Sequence, residues 1–266
     1  MKNFFYYEDI KLETLTINNQ KSKNILILHG YTSEFAFYEP IYSLLQDEYN
    51  IYGINMPSHG QSDISKKHMQ NDIFAQIVIK FVNHLKLKNI VVIGHSMGGG
   101  VAMDVAWRLE DRVIKIVLLG PSNRTMLSYN HHWPLFFPRN VEQYKKLVPI
   151  LYYNSNLILQ DEEKIQNIAQ YYANEEVQKK LDVIYEFGKQ MPLESNQAKV
   201  DYGIKMCKVP IILINGDHDG IVHVKNCERH YTSLNPNVFT FVIKNSGHCM
   251  WFDDFDTFMR ILKSQL

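Results

Sequence analysis

A serine hydroxyl is a weak nucleophile until a base takes its proton and N–H donors receive the charge that its attack creates. The stretch best suited to present such a serine is Ile90-Val91-Val92-Ile93-Gly94-His95-Ser96-Met97-Gly98-Gly99-Gly100. Its first five residues read as a short buried strand, apolar and rich in β-branched side chains. From Met97 the pattern turns to small and apolar residues, Val101, Ala102, Val105 and Ala106, which suit a helix lying close on a sheet. Between the two stands Gly94-x-Ser96-x-Gly98, the pattern of a nucleophile elbow. A serine on so sharp a turn takes strained backbone angles, and side chains two positions away would clash. The helix that follows aims its first N–H groups at the serine, where an oxyanion would develop. The N–H of Met97, next after the nucleophile, is one expected donor.

The serine needs an imidazole to take its proton and a carboxylate to hold that imidazole. Of eleven histidines, His248 is best placed, in the glycine-preceded loop Ser246-Gly247-His248 after the last apolar strand. His95 adjoins Ser96, but neighbours on a tight turn project in different directions, so a packing or hydrogen-bonding role is expected. His29 ends a strand and is expected to shape its loop rather than transfer protons. His218, His223 and His230 lie near the acids and read as surface or structural residues. The carboxylate comes from Gly216-Asp217-His218-Asp219-Gly220, where both Asp217 and Asp219 follow a late strand. A calcium loop is a poor reading of this segment, because no downstream ligand series follows.

These groups need a scaffold. Residues 4–7 and 12–18 alternate like two antiparallel strands. Asn24-Ile25-Leu26-Ile27-Leu28 is a buried strand ending in His29-Gly30, and residues 35–46 suggest a helix with Leu44 and Leu45 on its apolar side. Residues 50–55 form a strand before the turn-rich Met56-Pro57-Ser58-His59-Gly60-Gln61-Ser62-Asp63. Residues 71–85 are amphipathic, with Ile73, Ile77, Phe81 and Leu85 at spacings of four. Strands are expected at 114–119, 209–215 and 238–243, and helices at 225–234 and 254–266. This alternation predicts an α/β fold, a mostly parallel sheet covered on both faces, with its active site in loops at strand carboxyl ends. The rhythm breaks over residues 122–206, where helical and aromatic segments punctuated by prolines read as an insertion. Residues 1–121 and 207–266 then form the core. The aromatic residues of the insertion read as plain core before substrate wall, and its glutamates, Glu162, Glu163, Glu175, Glu176, Glu186 and Glu194, as a solvated face.

Four motifs, His29-Gly30, Gly94-His95-Ser96-Met97-Gly98-Gly99, Gly216-Asp217-His218-Asp219 and Ser246-Gly247-His248, occur in the order Ser, Asp, His. In this the chain resembles the α/β-hydrolase superfamily, specifically esterase/lipase-like members with a helical cap. The resemblance covers everything but the insertion. It implies that Asp219, at the second position of its pattern, is the acid, and that Asp217 organises the turn. It also implies that the Tyr31 N–H, after His29-Gly30, completes the oxyanion hole. Two departures stand out. Asn55 replaces an aspartate frequent in the family, which should change loop hydrogen bonding and not chemistry. A His-Gly-Gly-Gly run is missing. The serine at the elbow argues against dehalogenase and epoxide-hydrolase chemistry, which uses aspartate there.

The expectation is therefore a carboxylic-ester hydrolase with Ser96, Asp219 and His248 as catalytic residues and a small acyl ester, monoacylglycerol or lysophospholipid-type substrate. The same three residues would also serve a thioester, a small peptide amide or a carbon–carbon bond. Composition narrows the partners. The 266 residues carry 28 basic and 28 acidic side chains, too balanced for a nucleic-acid partner. No apolar run reaches the ~18 residues needed to span a bilayer, and Met1-Lys2-Asn3-Phe4-Phe5-Tyr6-Tyr7-Glu8-Asp9 meets acids too early for a signal peptide. Cys207, Cys227 and Cys249 are odd in number and lack metal-site spacing, so a reduced, cytoplasmic chain is expected. The glycines of the elbow fit neither a phosphate loop nor a dinucleotide fold, so neither cofactor nor metal is expected.

Overall fold

The structure, a computed structural model, describes residues 3–266. Met1 and Lys2, part of the N-terminal reading above, lie outside the described residues. Eight strands form one sheet: β1 (Asn3–Tyr7), β2 (Ile10–Ile17), β3 (Asn24–Leu28), β4 (Asn50–Ile54), β5 (Ile90–His95), β6 (Val113–Leu119), β7 (Ile211–Gly216) and β8 (Val238–Ile243). Their order is β1-β2-β4-β3-β5-β6-β7-β8. β2 pairs antiparallel with β1 and β4, and every other pairing is parallel. The central strands β3, β4, β5 and β7 are buried at every residue, as two covered faces require, whereas the edge strands β1 and β8 are largely open.

Eleven helices complete the described chain: α1 (Glu39–Ser43), α2 (Asn71–His84), α3 (Met97–Arg108), α4 (Val141–Leu151), α5 (Ser155–Leu159), α6 (Glu162–Ala173), α7 (Glu175–Gly188), α8 (Glu194–Met206), α9 (Val224–Leu234), α10 (Met250–Asp253) and α11 (Phe255–Gln265). The period-two alternation of the strands sorts side chains into two cores. Leu26, Leu28, Val92, Ile116 and Leu118 meet α2, α3, α8 and α9 on one face, while Ile25, Ile27, Val91, Ile93 and Val117 meet α1 and α11 on the other. On α2, Phe74, Ile77, Val78 and Phe81 are fully buried. Each is worth ~1.5–3 kcal/mol, more than the ~0.7 kcal/mol by which ordinary residues differ in helix propensity, so packing decides where this helix lies.

Residues 35–46 do not form the single helix that their apolar residues suggest. A 3₁₀ turn over Phe35–Tyr38 gives way to α1, which Pro40 enters at its first turn. Proline lacks the N–H and restricts the residue before it, so no continuous helix crosses this point. Leu45 is buried but Leu44 is half exposed. Between β6 and β7 come a 3₁₀ segment (Arg124–Phe136) and α4 to α8. Asn140, Asp161 and Asn174 cap α4, α6 and α7 with their side chains. The last helix, α8, lies on α3 of the core, with Val200 and Ile204 among the buried residues of that layer. Among the described residues no helix is long and apolar enough to cross a membrane.

Candidate active site

Ser96 sits between the end of β5 and the start of α3 with φ 51° and ψ −118°. A non-glycine residue in this region stores about 1–3 kcal/mol of strain, which the surroundings have to hold. The serine N–H donates to the Leu119 carbonyl at 3.0 Å, and the serine carbonyl accepts from Gly99 at 2.9 Å and Ser122 at 2.8 Å. The flanking glycines leave room for the turn. A Cβ on Gly94 would lie 2.6 Å from the Gly98 carbonyl oxygen, and one on Gly98 would collide with the Leu28 carbonyl.

His248 follows β8 in a loop, and Asp219 follows β7. Both are buried. Their side chains meet, His248 Nδ1 to Asp219 Oδ2, at 2.8 Å. The other carboxylate oxygen of Asp219 accepts from the N–H groups of Ile221 at 2.7 Å and Val222 at 2.8 Å. A carboxylate only accepts, so Nδ1 carries a proton, and in the neutral imidazole Nε2 keeps the lone pair. Nε2 is buried and has no hydrogen-bond partner among the described residues. Gly120, at φ 48°, permits the pair: a Cβ there would stand 2.9 Å from Asp219 Oδ2 and 3.0 Å from His248 Nδ1. Asp217 is engaged elsewhere, with the exposed His218 ring at 2.7 Å and the Ser246 N–H at 3.3 Å. Those bonds hold its carboxyl below the usual carboxylate range despite the opposing effect of burial.

On the other side of Ser96, the Gly30–Tyr31 peptide is fixed through its carbonyl. The Met56 N–H donates to His29 Nε2 at 2.9 Å, which makes Nε2 the acceptor and leaves the ring proton on Nδ1. Nδ1 then donates to the Gly30 carbonyl at 2.8 Å, and the Ser33 N–H donates to the same oxygen at 3.2 Å. In a trans peptide the N–H points opposite to the carbonyl, so these bonds also set the direction of the Tyr31 N–H. Burial, with the neighbouring His59, pushes His29 down to about 3 and keeps it neutral. Met97 opens α3, and its N–H is among the first-turn donors that have no acceptor within the helix. The departure at Asn55 has a partner. Its Oδ1 accepts from the Phe35 N–H at 2.8 Å, and its Nδ2 donates to the buried Glu13 carboxylate at 2.8 Å. An aspartate there would set two carboxylates against each other.

The family model described as the alpha/beta hydrolase fold matches residues 23–255. The chain belongs to that family. It is 28% identical over 241 residues to the uncharacterized hydrolase YugF of Bacillus subtilis (strain 168), covering 86% of this chain and 85% of that one. A Mycoplasma pneumoniae protein whose name places it provisionally as esterase/lipase 1 is 26% identical over 258 residues, covering 93% and 92%. Among solved structures, the serine hydrolase CCSP0084 of Cycloclasticus zankles superposes with a TM-score of 0.83 at 17% identity, covering 99% of this chain and 96% of that one.

In this α/β-hydrolase the strand-end loops open on a cavity of about 1180 Å³ that Ser96 and His248 both line, together with Tyr31 and Cys249. The segment between β6 and β7 supplies much of its apolar wall, from Phe136, Tyr144, Leu147, Tyr172, Leu181 and Ile184, and Leu15, Phe35 and Phe37 add to it from outside that segment. Several aromatic residues expected as plain core thus border open space, while Trp133 packs with Phe136 and Phe137. A polar stretch of wall, Glu13, Glu34, His59, Gln61 and Lys180, was not singled out from the sequence. Nothing local marks these residues, because they come from β2, two loops and α7. The six glutamates noted in the insertion are all exposed and lie off the cavity wall. Glu176, Glu186 and Glu194 pair with Lys180, Lys189 and Arg124. Cys249 is a buried thiol pushed well above its usual range by desolvation.

Proposed function

We propose that this α/β-hydrolase is a serine carboxylic-ester hydrolase of the esterase/lipase type, acting on a small acyl ester or a monoacylglycerol- or lysophospholipid-like substrate. One observation carries the reading. Ser96 at its strained elbow shares a cavity with His248, whose Nδ1 is committed to Asp219 and whose Nε2 is unpartnered. In the proposed cycle Ser96 Oγ bonds to the ester carbonyl carbon as its proton passes to His248 Nε2. Asp219 stabilises the imidazolium, and the N–H groups of Tyr31 and Met97 receive the oxyanion. Collapse breaks the ester C–O bond, and the leaving alcohol takes the proton from His248. Water, deprotonated by the same imidazole, then releases the acid and restores Ser96. The names of the Mycoplasma and Bacillus relatives support a hydrolase of this type.

Residues 122–206 act as a cap in this reading, and their apolar wall takes the acyl chain. Ligand pockets of ~300–1,000 Å³ hold drug-sized molecules, so the cavity accommodates more than an acetyl ester. No cofactor enters the cycle. The three free, buried cysteines suit a reducing compartment and so a cytoplasmic protein. The test is hydrolysis of p-nitrophenyl esters from acetyl to palmitoyl by the wild type and Ser96→Ala. Turnover should vanish in the variant while its melting curve stays near wild type. Comparable turnover by both proteins would overturn the reading, and the chain-length optimum of the wild type sizes the pocket.

A further inference from the structure

Behind the cavity wall runs a second chain of hydrogen bonds. Tyr38, fully buried at the end of the 3₁₀ turn, accepts from the Gly30 N–H at 3.1 Å. Its Oη lies 2.7 Å from His95 Nδ1, and His95 Nε2 lies 3.3 Å from the His248 carbonyl oxygen. The protonation of this chain follows from its ends. A peptide N–H only donates, so Tyr38 Oη accepts there; a carbonyl only accepts, so His95 Nε2 donates to His248 and the neutral ring is left to accept at Nδ1 from Tyr38 Oη. The ring proton of His95 is then on Nε2 and points at the His248 carbonyl. The opposite tautomer would set the Nε2 lone pair against carbonyl lone pairs in a buried site, with a desolvation cost and no bond. Burial keeps the His95 imidazole neutral, its pKa well below the usual range. Trp251 closes over both rings, with centroids 5.3 Å from Tyr38 and 4.9 Å from His95.

We propose that Tyr38 and His95 are positioning residues: one directed chain, Gly30 N–H to Tyr38 to His95 to the His248 carbonyl, sets the spacing between oxyanion donor and base across Ser96. The proposal rests on the roles of Tyr31, Ser96 and His248 given under Proposed function. Gly30 directly precedes the Tyr31 N–H, and His248 carries the base on the same backbone whose carbonyl His95 holds. His95, the neighbour of Ser96, thereby joins the two halves of the site by its side chain. A phenylalanine at position 38 would fill the space but leave the Gly30 N–H and His95 Nδ1 unpaired. Small errors in such spacing cost rate before they cost binding.

Two measurements on the full chain test this. The first is the ¹⁵N NMR spectrum of the histidine rings. His95 should carry its proton on Nε2, and a proton on Nδ1 would overturn the chain as drawn. The second is p-nitrophenyl ester kinetics. Tyr38→Phe should lower kcat about 10- to 100-fold with KM within about twofold. His95→Gln, which can accept through Oε1 and donate through Nε2, should stay within a few-fold of wild type, while His95→Leu falls as Tyr38→Phe does. The double variant Tyr38→Phe/His95→Leu should be no slower than the worse single one, because both cut the same chain. Equal activity of the Gln and Leu variants, or losses that multiply, would overturn the proposal, and the His95 pair decides it if Tyr38→Phe does not fold. Failure of the underlying reading looks different: wild type and Ser96→Ala would then be equally inert, and the tautomer alone would decide whether the chain exists.

Discussion

The strand-end loops and the helical insertion line one cavity but are built on opposite terms. At the strand ends, backbone groups are fixed by hydrogen bonds and glycines sit where a Cβ would collide with backbone. Ser96 is tied by Leu119, Gly99 and Ser122, Asp219 by Ile221 and Val222, and the Gly30 carbonyl by His29 and Ser33. The insertion instead rests on amphipathic helices whose charged faces meet water, and α6 has no fully buried residue. The first region holds polar atoms at fixed places, which chemistry needs. The second encloses volume, which many side chains could do. Substitutions at the strand ends should therefore act on fold or kcat, and those in the insertion on KM and chain-length preference.

The hardest break of that contrast is at the elbow. Gly98→Ala places a methyl group against the Leu28 carbonyl, a backbone atom that cannot turn away. The turn or β3 has to shift, and the expected outcome is a stability loss of about 3 kcal/mol or more with ester turnover abolished. Urea melts and activity of the purified variant check it. An active Gly98→Ala protein would mean that the elbow is softer than its hydrogen bonds imply.

Next in size is the pair of aspartates, which differ by two positions and face different histidines. Asp219→Asn should drop kcat about 10³- to 10⁴-fold while the fold persists, because the amide permits the wrong tautomer of His248. Asp217→Asn should stay within a few-fold, since its partners are His218 and a turn N–H. Steady-state kinetics on the two variants side by side give the answer, and equal losses would erase the distinction between them.

What could be read in advance follows the same divide. β3, β5 and β7 are runs of β-branched and apolar residues bounded by glycine, a signal contained within one stretch, and Gly94-x-Ser96-x-Gly98 is as local. The hydrogen bond from His248 to Asp219 spans 29 residues in sequence but lies between two loops that follow adjacent strands, β7 and β8. Asn55 is expected to change loop hydrogen bonding, but its partner, Glu13 on β2, is 42 residues away and has no local mark. Residues 35–46 suggest one helix, whereas Tyr38 ends a 3₁₀ turn just before Pro40. The buried face of α8 is Gln197, Val200, Gly203 and Ile204, half of it not apolar, and it docks on α3 at Gly203, whose Cβ would lie 2.6 Å from the Met103 carbonyl. Long-range polar pairing and close backbone approach leave no periodicity behind them.

Acid should loosen the strand ends before the insertion. His29 titrates near 3 in the folded chain against 6.5 when unfolded, and burial, the largest cause, brings His59 down to about 4. Between these values the unfolded chain binds more protons, so the stability that His29 contributes is complete above pH 6.5 and is lost as the pH falls toward 3. For His29 alone the loss from pH 6.5 to 4.5 is about 2 kcal/mol. Urea titrations at both pH values should show it, and His29→Gln should flatten the difference by a comparable amount. A wild type equally stable at both would show that the imidazole behind the Gly30 carbonyl is not held neutral by the fold.

The smallest effect belongs to the cavity wall, and it sharpens the comparison most. Ile184→Trp adds bulk to α7 where its side chain borders the cavity, far in sequence from every strand-end loop. The larger ring fills volume that a long acyl chain would occupy, so KM for palmitoyl esters should rise about 3- to 10-fold while acetyl esters are turned over at the wild-type kcat. The rate of Ser96 acylation by a small fluorophosphonate should not change, because Tyr31 Oη meets α7 at the Ile184 backbone carbonyl, which the substitution keeps, and the bonds that hold the elbow, Asp219 and Gly30 come from elsewhere. If that rate falls together with palmitoyl turnover, the insertion shapes the reacting groups as well as the space around them, and the two regions are one device.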